Sequence, residues 1–462
     1  MAIAAPTQRQ AAAASSRVAR TRAMTNGPIG PTLTRLAAPN VLAMVVQAMM
    51  SIAEGVFASR LGVEALAGLA LVFPLVMLTQ MLAAGAMGGA ISSTVARALG
   101  ADAPERASGA VVAAWIIAAG SALMSMVLMA MFGRTVFELL GGAGQSAEAA
   151  LSYAAVFFPG CLTIWICHAT LSTVRGTGNM MFASLSLLGV SVVTIPLAGG
   201  LALGWGGLPS LGMAGLAFGT VLAHGVGAVF ALGFLLTGRA GLTLRVAKVT
   251  TGVFKDILQV GLIASVNSVL TVLTIILMVG AVGRYGEAAL AGYGLGARLE
   301  FLMIPVVFGI GAAMTAMVGA NIGAGQHRRA LRIAWCGSLA AAGIVGAIGL
   351  LVALLPDLWL RLFLSAEDAA PLAAGRTYFR IVAPFYGFFA IGLALYFASQ
   401  GAGRMLWPFL GGVARLGVAF GGAVLLSHTS ELGVASVFVA IAAGMFVYGT
   451  FIVVALMLSK WR

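Results

Sequence analysis

Thirteen acidic residues are spread over 462 positions, and only two of them, Glu54 and Glu300, lie inside long apolar stretches. An ionised carboxylate is expensive in a lipid core, so each must face protein or a water-filled cavity, or be neutral. A carboxyl in such a place suits reversible protonation, and we read Glu54 and Glu300 as candidate proton-coupling residues. Glu54 has polar company. At 100° per residue, Asn40, Gln47, Ser51 and Glu54 share a sector about 60° wide on one helix. Pro39 lies fifteen residues before Glu54 in the same stretch and is the expected hinge, because proline removes a backbone hydrogen bond and permits a bend. Glu300 follows Arg298 by two positions, so the two point to opposite sides of a helix, and Arg415 is the candidate partner for Glu300. Asn267, Thr271 and Thr274 form a second, weaker stripe that fits either helix contact or cavity lining. His168 and His224 are isolated and read as core or interface residues.

Several chemistries are excluded. No Gly-rich phosphate loop runs into Lys-Ser/Thr, and HExxH, CxxC and paired Asp-rich motifs are missing. The expectation is a non-enzyme with no catalytic cluster, no metal site and no cofactor, its only ion being H⁺ or, as a weaker alternative, Na⁺. Cys161, Cys167 and Cys336 fall in apolar runs and imply no disulfide framework.

The elements that must position these groups follow from composition. Hydrophobic residues make up 61% and charged residues 8%, too apolar a balance for a soluble chain of this size. The apolar residues fall into twelve runs, each long enough to cross a bilayer core of about 30 Å. The fold class is therefore an all-α membrane protein of twelve transmembrane helices. The net charge of +13 follows topology: of 26 Lys and Arg, eighteen fall on the side holding both termini and six on the other, with Arg298 and Arg415 inside spans. This positive-inside bias puts both termini in the cytoplasm and gives the basic excess no nucleic-acid role.

The chain also repeats itself. Residues 153–179 return about 225 positions later, with Tyr153 matching Tyr378, Pro159 matching Pro384, Gly176 matching Gly401 and Gly178 matching Gly403. RLGVEALAG at 60–68 aligns with RYGEAALAG at 284–292, and Gly100-Ala101 with Gly323-Ala324. Six runs fall in each half, so the repeats are parallel and pseudo-symmetric, with substrate expected between or within them near the bilayer midplane. The expected organisation is a disordered cytoplasmic tail at 1–31, an N-lobe at 32–238, a cytoplasmic linker at 239–252, a C-lobe at 253–458 and a cytoplasmic end at 459–462.

The ordered set Glu54-Gly-Val-Phe-Ala-Ser-Arg-Leu-Gly62, Ala65-Leu66-Ala67-Gly68, Pro74, Ala96-Arg97 and Gly100-Ala101 resembles multidrug and toxic compound extrusion (MATE) transporters. So does Arg175-Gly176-Thr177-Gly178-Asn179 with its echo at 400–404. Within the family, Tyr285-Gly286, Arg298-Leu-Glu300, Pro305 and Gly319-Ala-Asn321-Ile-Gly323-Ala324 are most similar to the DinF-like branch. The resemblance, from about residue 32 to 457, implies two six-helix lobes in a V. It also implies efflux of cationic or amphipathic compounds driven by inward H⁺ or Na⁺. It aligns Glu54 with the family's first-span acid, usually Asp, Glu300 with the branch's eighth-span acid, and Pro39 with its first-span proline. Thr194 and Ala198 replace an Asn and an Asp of the branch, and Thr271 and Phe389 replace acids of the NorM-type branch, so the ion site of that branch's C-lobe is not expected.

The combined expectation is a proton-coupled exporter of small molecules in the bacterial inner membrane, acting as a monomer. Asn40, Gln47, Ser51, Asn267, Thr271, Arg298 and Arg415 form its cavity or coupling network. A lipid-linked precursor flippase, using Arg298 and Arg415 on a pyrophosphate, and a non-transporting membrane sensor are the alternatives.

Overall fold

The structure, a computed structural model, describes residues 8–244, 249–365 and 367–458. Among the described residues, twelve helices are long and apolar enough to cross a membrane, and no strand occurs. In order they are span 1 (Ile29–Leu61), span 2 (Val63–Gly100), span 3 (Pro104–Leu139), span 4 (Gly144–Gly176), span 5 (Met180–Leu203) and span 6 (Gly212–Leu236). The second half supplies span 7 (Thr251–Gly283), span 8 (Glu287–Gly323), span 9 (His327–Leu354), span 10 (Ala369–Ala402), span 11 (Leu406–Thr429) and span 12 (Ala435–Leu458). Most run beyond the apolar stretches that mark them in the sequence, because a helix continues into its polar flanks until a turn residue stops it. The fold is thus two pseudo-symmetric six-helix bundles. The linker's residues 245–248 and the chain end at 459–462 lie outside the described residues.

The repeat is visible in backbone detail. Gly62 (φ +122°) joins spans 1 and 2, and its repeat mate Gly286 (φ +95°) joins spans 7 and 8. These left-handed angles suit glycine and explain why the two nine-residue segments match there. Inside each half the packing also recurs. A Cβ on Gly176 would lie 2.7 Å from the Ser92 carbonyl oxygen, and a Cβ on Gly401 2.7 Å from that of Thr315. Small residues at these crossings let the helix backbones touch, which is how membrane helices associate.

One large apolar cluster is built mainly from residues of spans 7–12 and another mainly from spans 1–7. Span 8 is the most enclosed, with 61% of its apolar window buried, against 22% for span 11. Large side chains such as Val229, Leu222 and Met131 remain exposed and supply the lipid-facing belt. Two spans are interrupted by π-helical segments, Met81–Met87 in span 2 and Gly417–Gly421 in span 11. Such segments leave carbonyls free for other partners. Pro39 sits within an unbroken span 1, one residue before the contact of Asn40 with span 8.

The expected disordered tail is corrected for residues 8–26. Gln8–Asn26 is a helix whose end is buried, with Met24 at 1% exposure. Arg20 donates to the carbonyls of Thr177 (3.3 Å), at the end of span 4, and Ala240 (3.4 Å), at the start of the linker. Asn321 Nδ2 of span 8 donates to the Met24 carbonyl (3.0 Å), and Arg329 donates to that of Gly27. The mild Ala/Arg/Ser composition hid this helix because its stability comes from docking onto both halves, not from its own apolar face.

Candidate functional site

Glu54 is turned into the first half, at 8% exposure. Thr220 Oγ1 of span 6 donates to its Oε1 at 2.7 Å, and the same hydroxyl lies 3.3 Å from the Leu216 carbonyl. The Tyr153 ring of span 4 is fully buried, and its hydroxyl lies by this pair. Among the described residues, no cation forms a salt bridge with Glu54. The carboxyl therefore sits in a protein pocket of hydroxyls, away from lipid and from any fixed positive clamp.

The geometry allows two hydrogen-bonding states. As a carboxylate, Glu54 accepts from Thr220. As a neutral acid it can donate to Thr220 Oγ1, whose proton then turns to the Leu216 carbonyl. Threonine suits this because its hydroxyl both donates and accepts.

A further polar group continues from Thr220. His224 Nδ1 lies 2.8 Å from the Thr220 carbonyl, the His224 and His168 rings are 5.7 Å apart, and His168 Nε2 lies 2.9 Å from Gln80 Oε1. Gln80 directly precedes the π-helical segment of span 2. The two histidines are core residues, as expected, but they are not isolated. Each is fully buried and keeps one ring nitrogen without a partner.

The span 1 stripe does not act as one unit. Asn40 lies fourteen residues from Glu54, about 21 Å along a helix. It binds elsewhere: its Nδ2 donates to the Gly309 carbonyl of span 8 (3.3 Å), and Ser184 of span 5 donates to its Oδ1 (3.5 Å). Gln47 and Ser51 are half-buried between these ends. Angular position on a helix puts residues on one face, but it does not say which neighbour covers each level of that face.

In the second half, Glu300 accepts a hydrogen bond from the Tyr378 hydroxyl. The expected Glu300–Arg415 pair is not formed. Arg415 instead lies over the Phe389 ring (4.8 Å) and near Tyr448 (5.8 Å), cation–π contacts that suit a guanidinium among aromatics. Asn267, Thr271, Thr274, Arg415 and Tyr448 do converge, on a small cavity that also touches Leu270 and Gly412. Asn267 Oδ1 is buried there without a partner. Arg298 is corrected: it is exposed, with its guanidinium 5.7 Å from the Phe363 ring, and does not line the cavity that holds Arg415.

Thr220 and Gln80 escaped the sequence reading, and Arg175 and Gln400 entered it only as part of the Arg175–Asn179 segment and its echo at 400–404. Tyr153 and Tyr378 were marked only as repeat landmarks, yet each stands by the acid of its own half. Those acids come from non-equivalent spans, 1 and 8, so the repeat alone could not pair them.

With this geometry in view, comparison with known proteins is informative. The MatE family model matches residues 39–198 and 264–425. A probable multidrug resistance protein NorM of Thermotoga maritima is 25% identical over 443 residues, covering 93% of this chain and 92% of its own. The probable multidrug resistance protein YoeA of Bacillus subtilis is 25% identical over 414 residues, 88% of each chain. An FAD transporter of Shewanella oneidensis is 24% identical over 315 residues, 66% of this chain and 68% of that one. Among solved structures, a MATE in the bent conformation superposes with a TM-score of 0.84 at 25% identity, covering 96% of this chain and 97% of the other. A MOP superfamily transporter from Pyrococcus furiosus gives 0.83 at 25% identity, covering 95% and 97%.

Proposed function

The chain belongs to the MatE family of multi-pass membrane transporters, and on that footing we propose that it is a secondary active multidrug exporter. It moves cationic or amphipathic small molecules out of the cytoplasm across the plasma membrane in exchange for H⁺, with both termini cytoplasmic. The observation that carries this reading is the Glu54–Thr220 pair, a carboxyl in a hydroxyl-lined pocket with no cation bonded to it. Protonation from the outer side reverses the direction of that hydrogen bond and removes a charge from the interior of the first half. Span 1, which carries Glu54 near one end and Pro39 near the other, then shifts between two arrangements, and substrate is displaced. Release of the proton inward resets the cycle. Each ligand biases the two arrangements only through its unequal affinity for them.

Protons fit this pocket better than Na⁺. A sodium-like ion takes several oxygen ligands, and among the described residues Glu54 has a single hydrogen-bonding side chain at its carboxyl, Thr220.

The test is Glu54→Gln in proteoliposomes, with efflux of a fluorescent organic cation driven separately by imposed H⁺ and Na⁺ gradients. Glutamine keeps size and hydrogen bonding but cannot exchange a proton. The expected result is loss of H⁺-driven efflux of tenfold or more with substrate binding retained. Undiminished H⁺-driven efflux removes Glu54 from the mechanism, and efflux driven by Na⁺ alone reassigns the coupling ion.

A further inference from the structure

A second small cavity lies where the two halves meet, and many of the residues lining it are repeat mates. Ser92 pairs with Thr315, Ser172 with Phe397, and Arg175 with Gln400, each about 223–225 positions apart, and all six line the same space. The cavity therefore straddles the pseudo-two-fold axis. It has room for roughly one or two water molecules.

Its polarity is one-sided. The first half contributes a cation, two hydroxyls and the Asn40 amide, already bonded to Gly309 and Ser184, while the second contributes a hydroxyl, two phenyl rings and a neutral amide. The Arg175 guanidinium is 4% exposed, and its Nε and Nη2 are buried without a partner. Ser92 Oγ and Ser172 Oγ, at 4% and 1% exposure, are likewise unpartnered. Thr315, by contrast, is satisfied by the Gly311 and Phe397 carbonyls. Among the described residues, no carboxylate forms a salt bridge with Arg175. A buried charge needs a counter-charge, and buried N–H and O–H groups need acceptors. Gln400 Oε1 is the unpartnered acceptor of the group, but it lies against Gly89 and carries no charge. Two glycines keep the space open: a Cβ on Gly88 would lie 2.6 Å from Ser172 Oγ, and one on Gly89 2.0 Å from Gln400 Oε1.

We propose that this cavity is a binding site for a small monovalent anion of halide size, held by Arg175, Ser92 and Ser172. Because Gln400, Thr315 and Phe397 of the second half form its other wall, the site is complete only when the halves are closed against each other here. The anion then favours that arrangement over one in which this end opens. Polyatomic organic anions do not fit.

The experiment uses purified full-length protein and does not involve transport, so its outcome is independent of the coupling ion. Thermal stability is measured in sodium chloride or bromide against sodium gluconate at equal ionic strength. The expected result is a saturable rise of several degrees with halide, absent in Arg175→Met and reduced in Ser172→Ala. Should Arg175→Met fail to fold, Gly88→Ala fills the cavity without touching the guanidinium and is expected to abolish the halide response. Crystals grown in bromide are expected to show an anomalous peak within hydrogen-bonding reach of Arg175. A parent protein indifferent to halide overturns the proposal, since water alone then satisfies the donors. An equal halide response in parent, Arg175→Met and Gly88→Ala also overturns it, by placing the effect elsewhere.

Discussion

Gly100 and Gly323 hold each other's helices in place across the two halves. A Cβ on Gly100 would stand 2.0 Å from the Ala320 carbonyl oxygen, and a Cβ on Gly323 would stand 2.0 Å from that of Arg97. Ala320 is the repeat mate of Arg97, so the contact maps onto itself when the halves are exchanged. Spans 2 and 8 thus meet at a self-complementary crossing, the form a two-fold contact requires. Nearby, Arg97 donates to the Gly401 carbonyl of span 10 (3.2 Å), and Gln400 Nε2 donates to the Gly85 and Ala86 carbonyls of the span 2 π-helical segment (3.1 and 3.0 Å). This end of the molecule is closed by backbone contact.

Any side chain at the crossing must separate the halves. Gly100→Val and Gly323→Val are each expected to destabilise this arrangement by about 1–3 kcal/mol or more, the usual cost of overpacking. The obstructing atoms are backbone, so local relaxation is limited. The check is thermal unfolding of each variant, and the symmetric contact requires similar losses from both. A large loss from one and none from the other contradicts it.

Thr220→Val keeps the shape of the side chain and removes the hydroxyl that serves Glu54. A hydrogen bond to a charged group is worth about 1.5–3 kcal/mol, so H⁺-driven efflux is expected to fall about tenfold or more. Substrate affinity should change little, because Thr220 is buried inside the first half. Efflux rates and equilibrium substrate binding, measured on the same preparation, separate the two effects.

The N-terminal helix bridges both halves at the closed end through Arg20 on one side and Met24 on the other. Opening that end has to break one set of contacts. Deleting residues 1–26 is expected to lower the thermal midpoint and to raise the labelling rate of a single cysteine at Thr177, which is fully buried here. A polar maleimide reads this directly, with at least a tenfold faster reaction expected. An unchanged rate shows that the helix is a passenger.

Outside the spans, Asp357 accepts two hydrogen bonds from Arg376 at 2.7 Å and one from Arg361 at 3.1 Å. The Arg376 hydrogen bonds, aided by Arg361, hold its carboxyl at about 2, below the usual value of 3.8. A folded-state value below the unfolded one gives a contribution that is complete above about pH 4 and lost as pH falls through about 2. Asp357→Asn is therefore expected to lower the melting temperature modestly near neutral pH and to converge with the parent below about pH 2. The group is exposed and screened, so the effect is small at high salt. Melting curves at low and high salt across this range test it.

The class of fold was fully legible in the chain, because apolar run length against bilayer thickness leaves little freedom. The repeat was equally legible. Gly62 and Gly286 mark equivalent turns, and Gly176 and Gly401 equivalent crossings, since both copies face the same steric demand at those points. Glu54 was identifiable because a carboxylate amid apolar residues is conspicuous.

What the sequence could not supply was the partner of each polar group. Thr220 reaches Glu54 from 166 residues away, and threonines are too common in membrane helices to stand out. Arg298 and Arg415 read alike as in-span cations, yet one points outward past Phe363 and the other lies among aromatic rings. Arg175 read as a basic residue at a span end, and only the packing of span 4 against its neighbours, span 2 among them, buried it. Periodicity fixes the direction of a side chain relative to its own helix axis. The rotation of that helix and the neighbour that covers it are set by twelve helices packing together, and for that reason the tertiary structure alone decided which charges meet a partner and which are left to find one.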